Sequence, residues 1–235
     1  MSTKLKIAAA VAAAVLLSAC SSPKHEPMPL VKFTPSMEVT EVWSKGLSSA
    51  EGFLVPAVYD DMVFAAGGKT LTRLNARTGE TEWSVSFNSP ITGGVGSDGY
   101  VTAVGLWDGN LEVVDAEGKV SWEKKLTTEL ASPPVVSHGL VIARTMDTRV
   151  SAFEASSGEL QWTYQRSQPA LTVRLPTRML AHDNFLLVGQ PNGHIVILDI
   201  ASGKPMFEFQ VAQAKGVTEV ERLVDVVGAP AFSDN

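Results

Sequence analysis

LNARTGETEW, residues 74–83, is the first of four closely similar segments in this chain. The others are VDAEGKVSW (114–122), FEASSGELQW (153–162) and LDIASGKPMF (198–207). In each segment an aromatic residue follows a glycine by four positions, and successive aromatics are 39, 40 and 45 residues apart. Trp43 precedes Trp83 by 40 residues and belongs to the same series. Similarity at a period of about 40 residues is typical of an array of repeated structural units.

Each repeat has the pattern of a small antiparallel sheet. One set of segments is rich in β-branched and aromatic residues: 62–66, 100–106, 140–145 and 185–188. A second set alternates with period two: 71–74, 111–114, 150–153 and 195–198. The glycine of each repeat supplies the positive φ that a tight hairpin needs. Four short strands in about 40 residues indicate a propeller blade, so we predict an all-β fold, a β-propeller of four-stranded blades.

The predicted propeller occupies residues 37–235, with blades near 50–90, 91–130, 131–168 and 175–212 and the start of another at 226–235. We expect the repeated aromatic to wedge between neighbouring sheets, where a large ring buries on the order of 150–250 Å². This interpretation is preferred to a ligand platform because the aromatic recurs at a fixed place in every repeat. Trp43 is expected to lie on a strand that completes the last blade of a ring.

The first 19 residues are predicted to be a cleaved export signal. Two lysines precede an apolar run of eleven residues, Ile7 to Leu17, which is too short to span a bilayer. Leu17-Ser18-Ala19-Cys20 then has the form of a bacterial lipobox, and Cys20 is the single cysteine of the chain. We therefore predict that Cys20 is lipidated, with acyl chains such as palmitate holding the protein to the membrane. Ser21 after it favours the outer membrane, facing the periplasm.

Residues 20–36 are predicted to be the lipidated cysteine and a tether, because four prolines make this segment extended. Removal of residues 1–19, which carry two lysines and no acid, changes the formal net charge from −6 to −8. An acidic chain without a basic run is a poor candidate for binding nucleic acid, which requires neutralisation of phosphates. Acylation, rather than surface charge, is expected to hold the protein to the bilayer.

The pattern Ala-x-x-Gly-x-x-x-Trp, as in Ala76 to Trp83, resembles the repeat of PQQ-type quinoprotein propellers. Together with the lipobox and the Trp43 segment, the stretches SPPVVSHG (132–139), LTVR (171–174) and TEVERLVD (218–225) resemble the BamB family. Members of that family are lipoprotein propellers of the outer-membrane β-barrel assembly machinery. The resemblance implies an eight-bladed ring, of which this chain would supply about four blades, an incomplete ring.

The resemblance also implies a function: a non-catalytic scaffold that binds the periplasmic domains of the pore-forming assembly protein and assists insertion of outer-membrane proteins. Other subunits of the complex and unfolded outer-membrane proteins are further candidate partners. Two connections between blades would form the partner-binding site, which comprises Leu171, Val173, Arg174, Glu219, Glu221, Arg222, Leu223 and Asp225. The alternative for Arg174 is an internal ion pair with Glu221 or Asp225.

Other motifs in the sequence give little support for a cofactor, metal or catalytic site. Gly94–Gly99, GVGSDG, matches a dinucleotide fingerprint, but a predicted strand follows it where that fingerprint needs a helix, so we interpret it as an inter-strand turn. The four histidines lack the spacing of metal ligands, and His138 and His182 are placed in blade turns. Asp60 and Asp61 are assigned to a hairpin turn. We expect no catalytic residue, cofactor or metal; the rival interpretation is a membrane-tethered quinoprotein enzyme or sensor.

Overall fold

The computed structural model describes residues 36–49, 54–167, 169, 171–173, 175 and 178–232. The predicted signal peptide, Cys20 and the tether as far as residue 35 lie outside them. Contacts divide the chain into two units, residues 1–40 and 41–235. Of the first unit, residues 36–40 are described, and they are exposed and belong to no helix or strand. Across the described ranges, no helix has the length and apolar character needed to cross a membrane.

The second unit contains four sheets, each of four antiparallel strands that pair in chain order, as the sequence predicted. Blade 1 comprises β1 (Ala57–Tyr59), β2 (Met62–Gly67), β3 (Thr70–Asn75) and β4 (Thr81–Ser86). Blade 2 comprises β5 (Ile91–Ser97), β6 (Thr102–Leu106), β7 (Asn110–Val114) and β8 (Val120–Lys125). Blade 3 comprises β9 (Val135–Ser137), β10 (Leu140–Arg144), β11 (Val150–Glu154) and β12 (Leu160–Tyr164). Blade 4 comprises β13 (Leu180–His182), β14 (Phe185–Gly189), β15 (His194–Asp199) and β16 (Pro205–Gln210).

The repeated tryptophan fixes each blade to the hairpin of the next. The indole N–H of Trp83 donates to the carbonyl of Ala116 at 2.9 Å, and Trp43, Trp122 and Trp162 make equivalent bonds to Ala76, Ala155 and Ile200. Each ring covers the glycine of the hairpin that it contacts, so a Cβ at Gly118 would lie 2.7 Å from the Trp83 ring. The glycine therefore provides space as well as its positive φ of 79°. The packing role predicted for the aromatic is confirmed for these four tryptophans, whereas Phe207 is 56% exposed. The expectation that Trp43 lies on a strand was wrong, because residues 36–49 contain none.

The hydrophobic core consists of three clusters, each shared by two adjacent blades. Phe64 and Leu71 of blade 1 pack with Val104 and Leu106 of blade 2. The second cluster joins blades 2 and 3, and the third joins blades 3 and 4. Because a fully buried side chain of this size contributes about 1.5–3 kcal/mol, each blade depends on its neighbour for stability.

Antiparallel pairing divides the loops between two ends of the strands. The turns β1–β2 and β3–β4, with their equivalents in the other blades, form what we call the hairpin end. The turns β2–β3, their equivalents and the connections between blades form the connection end. Residues 226–232, expected to begin another blade, contain no strand. Instead, the amide of Val226 donates to the carbonyl of Gln190 at the connection end of blade 4, at 3.1 Å.

Candidate functional site

The two segments predicted to bind a partner meet at the connection end. One is the connection from β12 to β13, and the other follows β16. The amide of Val173 in the first donates to Oδ2 of Asp225 in the second at 2.6 Å, although the two residues are 52 positions apart. The structure therefore places two of the predicted site residues together. We call the surface formed by these two segments the connection surface.

Asp225 is half-buried and anchors this surface from below. Burial raises the pKa of its carboxyl, whereas the bond from Val173 and the charge of Arg144 act in the opposite direction. Arg144 ends β10 and is buried, and this burial lowers its pKa to about 10. Both side chains line a small, partly open cavity of about 30 Å³, which has room for a water molecule. Asp225 thus has a structural partner within the fold, which the sequence did not identify.

Glu221 is exposed, and its carboxylate bonds to the backbone of its own turn. Its Oε2 accepts the amide hydrogens of Val217 and Thr218 at 2.9 and 3.0 Å. These bonds favour the ionised form and hold the pKa of Glu221 below its ordinary value. The carboxylate orders the segment that follows β16, and the direct partner contact predicted for it stays a prediction.

A shallow groove separates the two segments. It has a volume of about 270 Å³, and Leu171, Glu219 and Arg222 lie along it with Pro169 and Pro191. Leu171 is 41% exposed and Val173 is 36% exposed, as predicted for side chains that contact a partner. Leu175, which the sequence analysis did not single out, is exposed beside them.

Leu223 and Arg174 are the remaining members of the predicted site. Leu223 is half-buried, and its amide donates to the carbonyl of Val220 at 3.3 Å. Arg174 lies outside the described residues, so both its partner-binding role and its alternative as an internal ion pair stay predictions. The carboxylates of Glu221 and Asp225 already accept backbone amides.

The glycine-rich segment 94–99 was interpreted as an inter-strand turn, and this was wrong for most of its length. β5 extends to Ser97, and the turn itself begins at Asp98. The physical reason is close packing between blades: a Cβ at Gly94 would lie 2.7 Å from the ring of Pro133, and one at Gly96 would overlap the carbonyl of Pro134. The glycines therefore serve the contact between the innermost strands of blades 2 and 3.

The structure also locates His138, His182 and the adjacent carboxylates Asp60 and Asp61. His138 lies in the turn after β9, with a φ of 55°. His182 was placed in a turn but ends β13, where its ring stacks on Phe232 at 3.6 Å between centroids. Asp60 and Asp61 form the β1–β2 turn, and Asp61 pairs with Arg77 at 3.0 Å. Among the residues that the structure describes, no group of three or more histidine, cysteine or acidic side chains could hold a metal.

The innermost strands line an open cavity of about 440 Å³. Its lining combines apolar side chains such as Val58 and Val135 with the hydroxyls of Ser97 and Ser137. Arg178 is the one charged side chain among the described residues of this wall. A cation held with a quinone typically takes carboxylate ligands, and the described side chains of this lining include no carboxylate. The residues present do not fit an ion-assisted cofactor site.

Comparison with known proteins identifies the family. A family model described as "Outer membrane protein assembly factor BamB" matches residues 67–235. The BamB proteins of Burkholderia pseudomallei and Bordetella pertussis are 39% and 34% identical to this chain over 95% and 92% of its length. The chain spans 60% and 58% of those two relatives.

Solved structures agree with this assignment. The crystal structure of BamB from Moraxella catarrhalis matches with a TM-score of 0.70 and 29% identity, over 77% of this chain and 56% of that one. The quinohemoprotein alcohol dehydrogenase of Comamonas testosteroni matches with a TM-score of 0.53 at 20% identity, over 70% of this chain and 35% of that one, which shows a shared fold alone. The chain belongs to the BamB family of outer membrane protein assembly factors.

Proposed function

We propose that this chain is a non-catalytic, lipid-anchored scaffold of the outer-membrane β-barrel assembly complex, bound through Cys20 to the periplasmic face of the outer membrane. The names of its relatives support a role in outer membrane protein assembly. The observation that carries the proposal is the bond between Val173 and Asp225, which joins two connections into one surface. Binding residues tend to occupy such loops on a rigid scaffold.

The connection surface suits the periplasmic domains of the pore-forming assembly protein. Leu171 and Val173 present apolar groups beside a groove that also contains Glu219 and Arg222. Asp225 joins the two segments, and Glu221 orders the second of them. Arg174 would add a planar guanidinium able to bind a carboxylate or backbone carbonyls of the partner. Pre-ordered loops lower the entropic cost of binding.

The test compares two exposed leucines in the intact lipoprotein. Leu171→Glu places a charge in the groove, whereas Leu160→Glu changes a leucine that is 55% exposed on β12, away from the connections. Truncation of an interface hot spot costs 2 kcal/mol or more, about thirtyfold in affinity. We expect Leu171→Glu to lose co-purification with the pore protein at an unchanged melting temperature, while Leu160→Glu retains it. Equal retention by both variants would contradict the proposal.

Arg174→Ala separates the two roles predicted for that residue. Lost co-purification with unchanged melting supports a direct contact with the pore protein. A lower melting temperature instead indicates an internal ion pair. The rival interpretation, a quinoprotein enzyme or sensor, is tested by the absorbance of bound quinone in the purified mature protein.

A further inference from the structure

Trp107 differs from the other four tryptophans of the chain. Trp43, Trp83, Trp122 and Trp162 each donate their indole N–H to a carbonyl of the following hairpin. Trp107 lies in the β6–β7 turn at the connection end, is 63% exposed, and its indole has no hydrogen-bond partner among the described residues. Its position in the repeat does not require an aromatic, so the wedge between blades does not explain it.

The backbone around this exposed ring is firmly held. The amide of Trp107 donates to the carbonyl of Pro90 at 2.8 Å, and that of Gly109 donates to Leu106 at 2.9 Å. The carbonyl of Gly109 accepts the amide of Leu126 at 3.0 Å. An indole on an ordered turn provides large apolar area and a free donor at low entropic cost, which are the properties of an interface hot spot.

The Trp107 turn is continuous with the connection surface. The Thr128 backbone packs against Gly109, at 3.4 Å from where a Cβ would stand. The Thr128 hydroxyl accepts the amide of Met146 in the β10–β11 turn at 3.1 Å. Met146 in turn lines the small cavity together with Val173 and Asp225. A stable protein interface engages about 20–30 residues on each side, more than the eight predicted from the sequence.

The distribution of charge favours a protein partner at this end. At the hairpin end, whose turns are all described, acidic residues outnumber basic ones by ten to three: Asp60, Asp61, Glu80, Asp98, Asp115, Glu117, Glu154, Glu159, Asp183 and Asp199 against Arg77, Lys119 and Lys204. Covering that end with an apolar surface would require desolvation of many carboxylates. The connection end carries charges of both signs together with exposed apolar side chains. Asp108 and Lys125, whose ammonium donates to the Asp108 carbonyl, place charges of both signs beside Trp107.

We infer that Trp107 is a second anchor for the protein that binds the connection surface, and that the interface extends across blade 2. This inference rests on the proposed function. The partner would offer an apolar pocket for the ring and a carbonyl or carboxylate oxygen for the indole N–H.

The experiment measures the affinity of the intact protein for the periplasmic domains of the pore protein, comparing Trp107→Ala with Tyr100→Ala. Tyr100 is 74% exposed at the hairpin end of the same blade and therefore provides a matched control. We expect Trp107→Ala to weaken binding at least tenfold and Tyr100→Ala to leave it unchanged, both with the wild-type melting temperature. A photo-crosslinking residue at position 107, but not at position 100, should crosslink to the pore protein.

Four outcomes are distinguishable. Wild-type affinity in Trp107→Ala, with Leu171→Glu still impaired, overturns the second anchor and leaves the proposed function intact. Absence of binding by the wild type overturns the proposed function and the anchor together. Equal losses in Trp107→Ala and Tyr100→Ala contradict a localised contact. Retained pore-protein binding with loss of sedimentation on phosphatidylglycerol vesicles would assign Trp107 to the lipid surface and refute the inference.

Discussion

Glu112 lies in the middle of β7 with 7% of its surface exposed, directly opposite Glu123 on β8. The equivalent pairs of blades 1 and 3 are hydroxyl pairs, Thr72 with Ser84 and Ser151 with Thr163. Burial raises the pKa of Glu112 from 4.5 to about 7, and the carboxylates of Glu123 and Asp108 add to the increase. Blade 2 therefore contains a buried carboxyl, Glu112, that is expected to bind a proton near neutral pH.

The pH dependence follows from the direction of this shift. Because folding raises the pKa, the folded chain binds the proton more tightly than the unfolded chain. The resulting stabilisation is complete below about pH 4.5 and is lost as the pH rises towards 7. The full shift corresponds to at most about 3 kcal/mol. Water at the exposed Glu123 screens part of it, so we expect about 1–2 kcal/mol.

Glu112→Gln removes the titration and keeps the shape and hydrogen-bonding capacity of the side chain. At pH 8 the variant should be more stable than the wild type by about 1–2 kcal/mol, which raises the melting temperature by about 3–6 °C. At pH 4.5 the two proteins should unfold alike. The assay is thermal or urea unfolding of both proteins at pH 4.5, 6 and 8.

The matched control is Glu117→Gln, because Glu117 is exposed in the β7–β8 turn. It removes one negative charge from the same blade without affecting the carboxyl pair. An equal gain in Glu112→Gln at pH 4.5 and pH 8, or no gain at pH 8, would refute the reasoning. A gain of the same size in Glu117→Gln would assign the effect to net charge.

Three further predictions concern the tryptophan wedge between blades and the lipid anchor at Cys20. Trp162→Ala removes a buried ring with its hydrogen bond, and should lower the free energy of unfolding by about 3–5 kcal/mol in urea titrations, with Trp162→Phe recovering part of the loss. Gly158→Ala should destabilise by more than about 1 kcal/mol, because φ is 70° and a Cβ would lie 2.8 Å from the Trp122 ring; Gly46→Ala, with open space around it, should not. Cys20→Ala should abolish palmitate labelling, and normal labelling of that variant would end the lipoprotein interpretation.

The repeat made the fold predictable from the sequence, because equivalent residues make the same packing contact in successive blades. Gly79 and its equivalents combine a positive φ with contact to a tryptophan, and both requirements leave a fixed spacing in the sequence. The sequence-based assignment of a turn was wrong where packing between blades, rather than local glycine content, determines the backbone. At Gly94 and Gly96 the glycines predict a turn by composition, yet they lie in β5 because Pro133 and Pro134 approach them.

The candidate site was less predictable because its contacts join distant parts of the chain. Asp225 and Arg144 are 81 positions apart, and no local pattern indicates that their charges attract. Glu221 is predicted to contact the partner, and no pattern in the sequence indicated that its carboxylate also accepts amides three and four positions away. Trp107 escaped notice because it lies outside the repeated series, and its exposure is visible only once the turn is placed at the connection end.

The wedge also explains why one end of the propeller is available for binding. At the hairpin end, Asp115 accepts the amides of Glu117 and Lys119, and the Ala116 carbonyl accepts the Trp83 indole. These polar groups are already engaged in the fold, so substitution of a side chain that makes such bonds, as in Asp115→Ala, should lower the melting temperature. The connections between blades lengthen along the chain, from four residues at 87–90 to fifteen at 165–179. Their extra length plays no part in the wedge, and substitutions such as Leu171→Glu should therefore change partner affinity while leaving the melting temperature unaltered.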